Sequence, residues 1–183
     1  MQTIISQLYQ EHRDIEQVLK SISATLAPSD VIDARICLFL VSAIAFLNEY
    51  ESNVHHRRDE ILFQRLQWLD SSLREVESRL LEQRGLLTDR EQVIQRFLYN
   101  ARRSHAETCR QLKRLVSEYI EAYRNYMAVE EGLRYQTAQH QFKAPDWQEL
   151  GRGFMQVVDP VFGPKARQTY ATLEKALLAY ATG

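Results

Sequence analysis

The feature that most constrains this chain is a near absence of helix-breaking residues over its first 140 positions, where apolar side chains recur at steps of three and four. Only six glycines and four prolines occur, and most of them follow Lys143. This pattern predicts long amphipathic helices and an all-α fold. A first helix is expected from Thr3 to Thr25, with Leu8, Ile15, Leu19, Ile22 and Leu26 on a seam that becomes continuous only when position 12, a histidine, is counted. Pro28 ends it, and Ser29 is a suitable N-cap for the next helix.

The second helix is predicted from Asp30 to Leu69. Its seam runs Ile36, Leu40, Ala43, Leu47, Tyr50, Val54 and then slips by one residue to His55, Asp59, Leu62, Leu66 and Leu69, which predicts a local bulge. Ser72-x-x-Glu75 and Ser104-x-x-Glu107 have the form of capping boxes opening a third and a fourth helix, joined through Asn100 to Arg103. The third seam is Leu80, Arg84, Leu87, Glu91, Ile94 and Leu98, with a kink expected near Gly85 and Thr88. The fourth is Cys109, Leu112, Val116, Tyr119, Tyr123, Tyr126, Glu130 and Leu133. Short connections between long helices imply antiparallel neighbours, so residues 1–142 are read as an up-down-up-down four-helix bundle. Residues 143–183 are read as a C-terminal helical extension packed on it. The extension comprises a short helix capped by Asp146, an Asp-Pro-containing loop and a closing helix from Lys165 to Ala181. Leu173, Leu177, Leu178 and Tyr180 of that last helix would cover the bundle or meet a second subunit in a homodimer.

Composition narrows the partners. The net charge is −1, with Lys and Arg interspersed among Asp and Glu, so neither nucleic acid nor an anionic membrane surface is expected to bind. The longest apolar stretch, Ile36 to Leu47, falls short of the ~20 residues that span a bilayer. The first residues lack the order of charges and apolar residues of a secretory signal, and Cys37 and Cys109 form no CxxC pair. A cytoplasmic protein with reduced thiols is the expectation.

Every seam is interrupted by polar residues. His12 lies about nine residues into the first helix, and His55 and Asp59 lie late in the second, which runs the opposite way; at ~1.5 Å per residue these reach one level. Arg84 of the third helix, and Tyr126 with Glu130 of the fourth, reach it too. Inward-facing histidines and carboxylates from facing helices are how bundles build metal sites, and imidazole with carboxylate suits iron, zinc or manganese better than calcium. A hydrogen-bonded polar cluster without metal is the plainer reading of the same residues. The tyrosines at 119, 123 and 126, and Trp68 and Trp147, read as core; Arg57-Arg58 reads as an exposed helix face, and His140 as a surface or packing residue.

The stretch FLNEYESNVHHRRDEILFQRL resembles the tyrosine, double-histidine, carboxylate and Leu-Phe segment of bacterial hemerythrin-like (HHE cation-binding) proteins. LYQEHRDIEQVL resembles their opening helix, YRNYMAVEEGL their fourth-helix motif, and APDWQELGRGFMQVVDPVFG the tail that often follows. The likeness covers nearly the full chain. It implies a bundle holding a non-haem di-iron centre, with roles in binding oxygen or nitric oxide, in redox sensing or in handling iron. Carried over by position, the metal ligands would be His12, His55, Asp59 and Glu130, with His56 and Glu60 as the reserve pair. Two family histidines fall on Arg84 and Tyr126. The four retained ligands are too few for two irons, so the resemblance implies a reduced site.

Three functional readings remain open. One is a single iron or zinc ion held by the four retained ligands, with Tyr126 as a donor beside it. Another is a metal-free pseudo-hemerythrin, in which the Arg84 cation pairs with Asp59 or Glu130 and the surface binds a regulatory protein partner. The third is a non-haem iron enzyme, disfavoured because no nucleophile-base pair occurs and no catalytic residue can be named.

Overall fold

The computed structural model describes residues 2–29, 31–100 and 106–157, and every element among them is helical. Helix α1 (Gln2–Leu26) buries Ile5, Leu8, Ile15, Val18, Leu19, Ile22 and Leu26, the stripe that its 3.6-residue period requires. Helix α2 (Ala34–Tyr50) continues through a π-helical turn (Glu51–His55) into α3 (His56–Leu69), making one long rod. The slip in the second seam is thus a π-turn, which inserts one residue and rotates the downstream helix by about 100°. A second π-turn (Glu131–Tyr135) separates α5 (Ala106–Glu130) from α6 (Gln136–Gln141). Helix α4 (Arg74–Asn100) runs without interruption past Gly85 and Thr88.

Cross-helix contacts set the directions. Glu16 meets Arg124 and His12 meets Glu131, so α1 and α5 are antiparallel. Asn48 and Ser52 meet Glu91 and Arg84, and Glu91 and Glu77 meet Tyr119 and Arg134, which makes α4 antiparallel to both α2 and α5. Helices α1 and α2 also pack together and close the ring of neighbours.

Helix caps differ from expectation. Asp33, not Ser29, opens α2, its carboxylate accepting from the backbone N–H groups of Arg35 (3.0 Å) and Ile36 (2.8 Å). Ser29 instead donates to the Thr25 carbonyl at the end of α1. Asp70, not Ser72, caps the short 3₁₀ turn (Ser71–Leu73) before α4, and Ser104 lies outside the described residues. Helix α7 (Ala144–Gln156) begins two residues before Asp146, whose carboxylate reaches back to the Lys143 N–H at 2.7 Å and also holds Arg65. It packs on α3 and α1, with Gly153 so close to α3 that a Cβ there would meet Ile61 Cγ2 at 3.0 Å. The Asp-Pro loop and the closing helix with Leu173, Leu177, Leu178 and Tyr180 lie outside the described residues.

Among the described residues, two apolar clusters make the core. The larger joins α1, α2, α4 and α5 and includes Leu19, Leu40, Leu47, Leu80, Ile94, Leu112 and the tyrosines at 119, 123 and 126. The smaller joins Ile5, Leu8, Leu62, Leu66, Tyr135, Phe142, Trp147, Leu150 and Phe154. Trp147 is buried as expected, whereas Trp68 is 72% exposed with the Arg65 guanidinium over its ring. Leu133 is also exposed, because the second π-turn carries it off the seam. No described helix is long and apolar enough to cross a membrane.

Candidate functional site

Between the two clusters lies a buried polar layer of Glu11, His12, His55, Arg58, Asp59, Glu130 and Arg134. Helix α1 contributes His12, and the last residue of the first π-turn is His55. Glu130 is the last residue of α5, immediately before the second π-turn. Both π-turns therefore abut the polar layer, and each changes which residues face it.

His12 Nε2 lies 3.1 Å from His55 Nε2 and 3.3 Å from Glu130 Oε2, and the third side, from His55 Nε2 to Glu130 Oε2, is 3.5 Å. The outer nitrogens face carboxylates: His12 Nδ1 lies 2.7 Å from Glu131 Oε1, and His55 Nδ1 lies 3.0 Å from Glu11 Oε2. A carboxylate only accepts, so each Nδ1 donates; a neutral ring then turns its Nε2 lone pair inward. Two lone pairs and an anionic oxygen converging at this spacing require a cation among them. That cation is either a proton or a metal ion. Donor atoms bonded at 2.0–2.1 Å around a tetrahedral ion stand about 3.4 Å apart, so the triangle fits a metal of that size.

The protonated alternative has its own electrostatics. Burial by itself would lower the His55 pKa, but the hydrogen bonds and charges of Glu11 and Glu130 override it and push the imidazole up to about 10. Burial works to raise the Glu130 carboxyl, yet His12 and His55 together hold it well below the usual carboxylate range. Glu11 is held low against burial by His55 and Arg58.

The other side of Glu130 is occupied by Arg134, whose guanidinium lies 3.1 Å from Glu130 Oε1 and also contacts Asp59 and Glu77. Burial draws Arg134 down to about 10, which leaves it protonated at neutral pH. The cation against Asp59 and Glu130 is therefore Arg134, where the sequence pattern offers Arg84. Arg84 is half-buried on α4, with its guanidinium 3.5 Å from the Ser52 hydroxyl. The tyrosine at the triangle is likewise Tyr135, whose hydroxyl lies 3.2 Å from His12 Nε2, whereas Tyr126 meets Tyr123 edge to face.

Of the residues singled out in sequence, His12, His55 and Glu130 come together, and they form the one cluster among the described residues with the spacing of metal ligands. Asp59 is buried beside them but faces Arg134. His56 is half-buried and pushed down to about 4, by burial first and then by Arg84 and Arg134. Glu60 is exposed and accepts from Gln64, so the reserve pair points away from the triangle. His140 is exposed, and Arg57-Arg58 divides into an exposed and a buried arginine.

Glu11, Glu131, Arg134 and Tyr135 join the site without having been singled out by the seams. Arg134 stands four residues after Glu130, a spacing that signals an acid-base pair on one helical face, but continuing the seam to Leu133 conceals it. A shallow cleft lined by Tyr9, Arg13, Glu16, Arg124, Met127 and Glu131 opens onto His12 from solvent. Comparison with known proteins found no matching family model, no matching curated protein and no matching solved structure.

Proposed function

We propose that this chain is a hemerythrin-like, cation-binding helical bundle that holds one transition-metal ion between His12, His55 and Glu130, and not two. The observation that carries the reading is the triangle of His12 Nε2, His55 Nε2 and Glu130 Oε2 at 3.1–3.5 Å, with both outer imidazole nitrogens on carboxylates. That outer pairing is the usual device for orienting metal-bound histidines. Two imidazoles and one carboxylate suit iron(II) or zinc. Tyr135 supplies a hydroxyl at the edge of the site, and Glu131 borders the cleft that reaches it. A bound ion would contribute Lewis acidity and, if iron, redox chemistry. The protein's part is to fix the three donors, exclude bulk water and fill the neighbouring cation position with Arg134. By resemblance, sensing of oxygen, nitric oxide, redox state or iron is the physiological role this chemistry serves.

Elemental analysis of protein purified without chelators tests the stoichiometry. One iron or zinc per chain, lost on replacing His12 or His55, is expected; two ions per chain would refute the single-site reading.

A second reading is a metal-free pseudo-hemerythrin acting as a regulatory interaction module. It draws support from His55, which as an imidazolium can itself neutralise Glu11 and Glu130. The exposed apolar residues Val31, Leu38, Val41 and Tyr99 would then supply the partner surface. Absence of bound metal after iron and zinc supplementation would favour it.

A further inference from the structure

Arg58 looks in sequence like one of two exposed arginines, yet it is 6% exposed and sits three residues beyond His55 on the same rod. Its guanidinium contacts Glu11 Oε1, while the other oxygen of that carboxylate, Oε2, faces His55 Nδ1 at 3.0 Å. One carboxylate is thus shared between the arginine and the imidazole. The second amino group of Arg58 donates to the Val157 carbonyl, the cap of α7, at 3.2 Å. Every link of the series Val157, Arg58, Glu11, His55 is a direct polar contact, and its three side chains are all buried.

We propose that Arg58 is a positioning residue for His55 and couples the metal triangle to the seating of the end of α7, a reading that rests on the metal site proposed above. The planar guanidinium fixes the rotamer of Glu11, so that one oxygen is directed at His55 Nδ1 and the proton stays on that nitrogen. Nε2 is then kept free for the metal. The same guanidinium satisfies a carbonyl that the helix end leaves without an intrahelical donor. A metal drawing on His55 pulls Glu11 and Arg58 with it, and the α7 terminus is held more firmly. Glu11 alone, with no fixed partner on its other oxygen, could rotate away from the ring.

Cobalt(II) is the probe, because its visible spectrum reports the geometry of its nitrogen and oxygen donors. In the full chain, Arg58→Met is expected to weaken cobalt binding roughly 10- to 100-fold, the range for loss of outer-shell support, and to change the spectrum. Arg58→Lys, which keeps the charge but not the fork, should recover part of the affinity. Cobalt should slow hydrogen exchange at the Val157 amide, which donates to Phe154, in the wild type and not in Arg58→Met. A folded Arg58→Met chain with wild-type affinity and spectrum would overturn the proposal. If that variant fails to fold, Glu11→Gln with Arg58→Met removes both charges together, and wild-type cobalt binding by this double variant would overturn it as well. If the wild type binds no cobalt, the metal reading fails by itself. The His55 ring nitrogen resonances of the metal-free protein then decide: a change in Arg58→Lys supports the positioning role, and no change refutes it.

Discussion

On one side of Glu130, two imidazoles converge on its Oε2 oxygen and are backed by Glu11 and Glu131; on the other, a single guanidinium meets its Oε1 oxygen together with Asp59 and Glu77. Both sides bury carboxylates, and buried carboxylates need a positive charge close by. The arginine side carries its cation covalently and is closed. The histidine side depends on a cation that can be exchanged, either a proton or a metal ion. A buried acidic layer can therefore be a fixed strut and a variable binding site within one turn of helix.

The strongest way to break this contrast is to remove the fixed cation. Replacing Arg134 with alanine should destabilise the metal-free chain by about 3–5 kcal/mol, since Asp59, Glu130 and Glu77 would lose their shared partner. Chemical denaturation measures that loss. If the arginine side is a closed cation position, zinc should restore much of the stability and the count of bound ions should rise from one to two. A variant as stable as wild type would show that Arg134 does not neutralise the cluster.

Removing a donor from the other side should abolish binding there. His55→Ala is expected to cost more than the roughly 100-fold that bounds outer-shell changes. Isothermal titration with zinc would read this, and unchanged affinity would exclude the triangle as the site.

Proton competition is the next effect in size. The His55 pKa is raised to about 10 in the metal-free protein, so its charged form adds stability that is complete below its ordinary value of 6.5 and is lost as pH rises through about 10. A metal must displace that proton, so apparent affinity should rise about tenfold per pH unit between pH 7 and 9. A flat affinity profile over that range would show that no proton leaves His55.

The smallest effect expected is that of Tyr135→Phe, which deletes a hydroxyl 3.2 Å from His12 Nε2. About a tenfold loss of metal affinity at most is expected if the hydroxyl only supports the ring. A much larger loss, or loss of a tyrosinate absorption band in the iron-loaded protein, would make Tyr135 a ligand.

Much of the fold is legible in the sequence because helix seams are local. Leu8 through Leu26, Ile36 through Val54 and Cys109 through Glu130 obey a period that the chain carries in its own order, and the slip after Val54 marks the first π-turn. The second π-turn leaves no such mark. A heptad continued through Leu133 reads just as well as one interrupted by an extra residue, and what distinguishes them is the packing that buries Arg134 and Tyr135 and leaves Leu133 exposed.

Sequence by itself determined that His12, His55 and Glu130 would lie on inward faces at one level, because periodicity and helix length fix rotation and height. Tertiary structure alone decided that Arg134 and not Arg84 meets Asp59 and Glu130, that Tyr135 and not Tyr126 reaches His12, and that Arg58 is buried against Glu11. Long side chains choose among several partners within reach, and that choice depends on how neighbouring helices approach and on which buried charges most need neutralising.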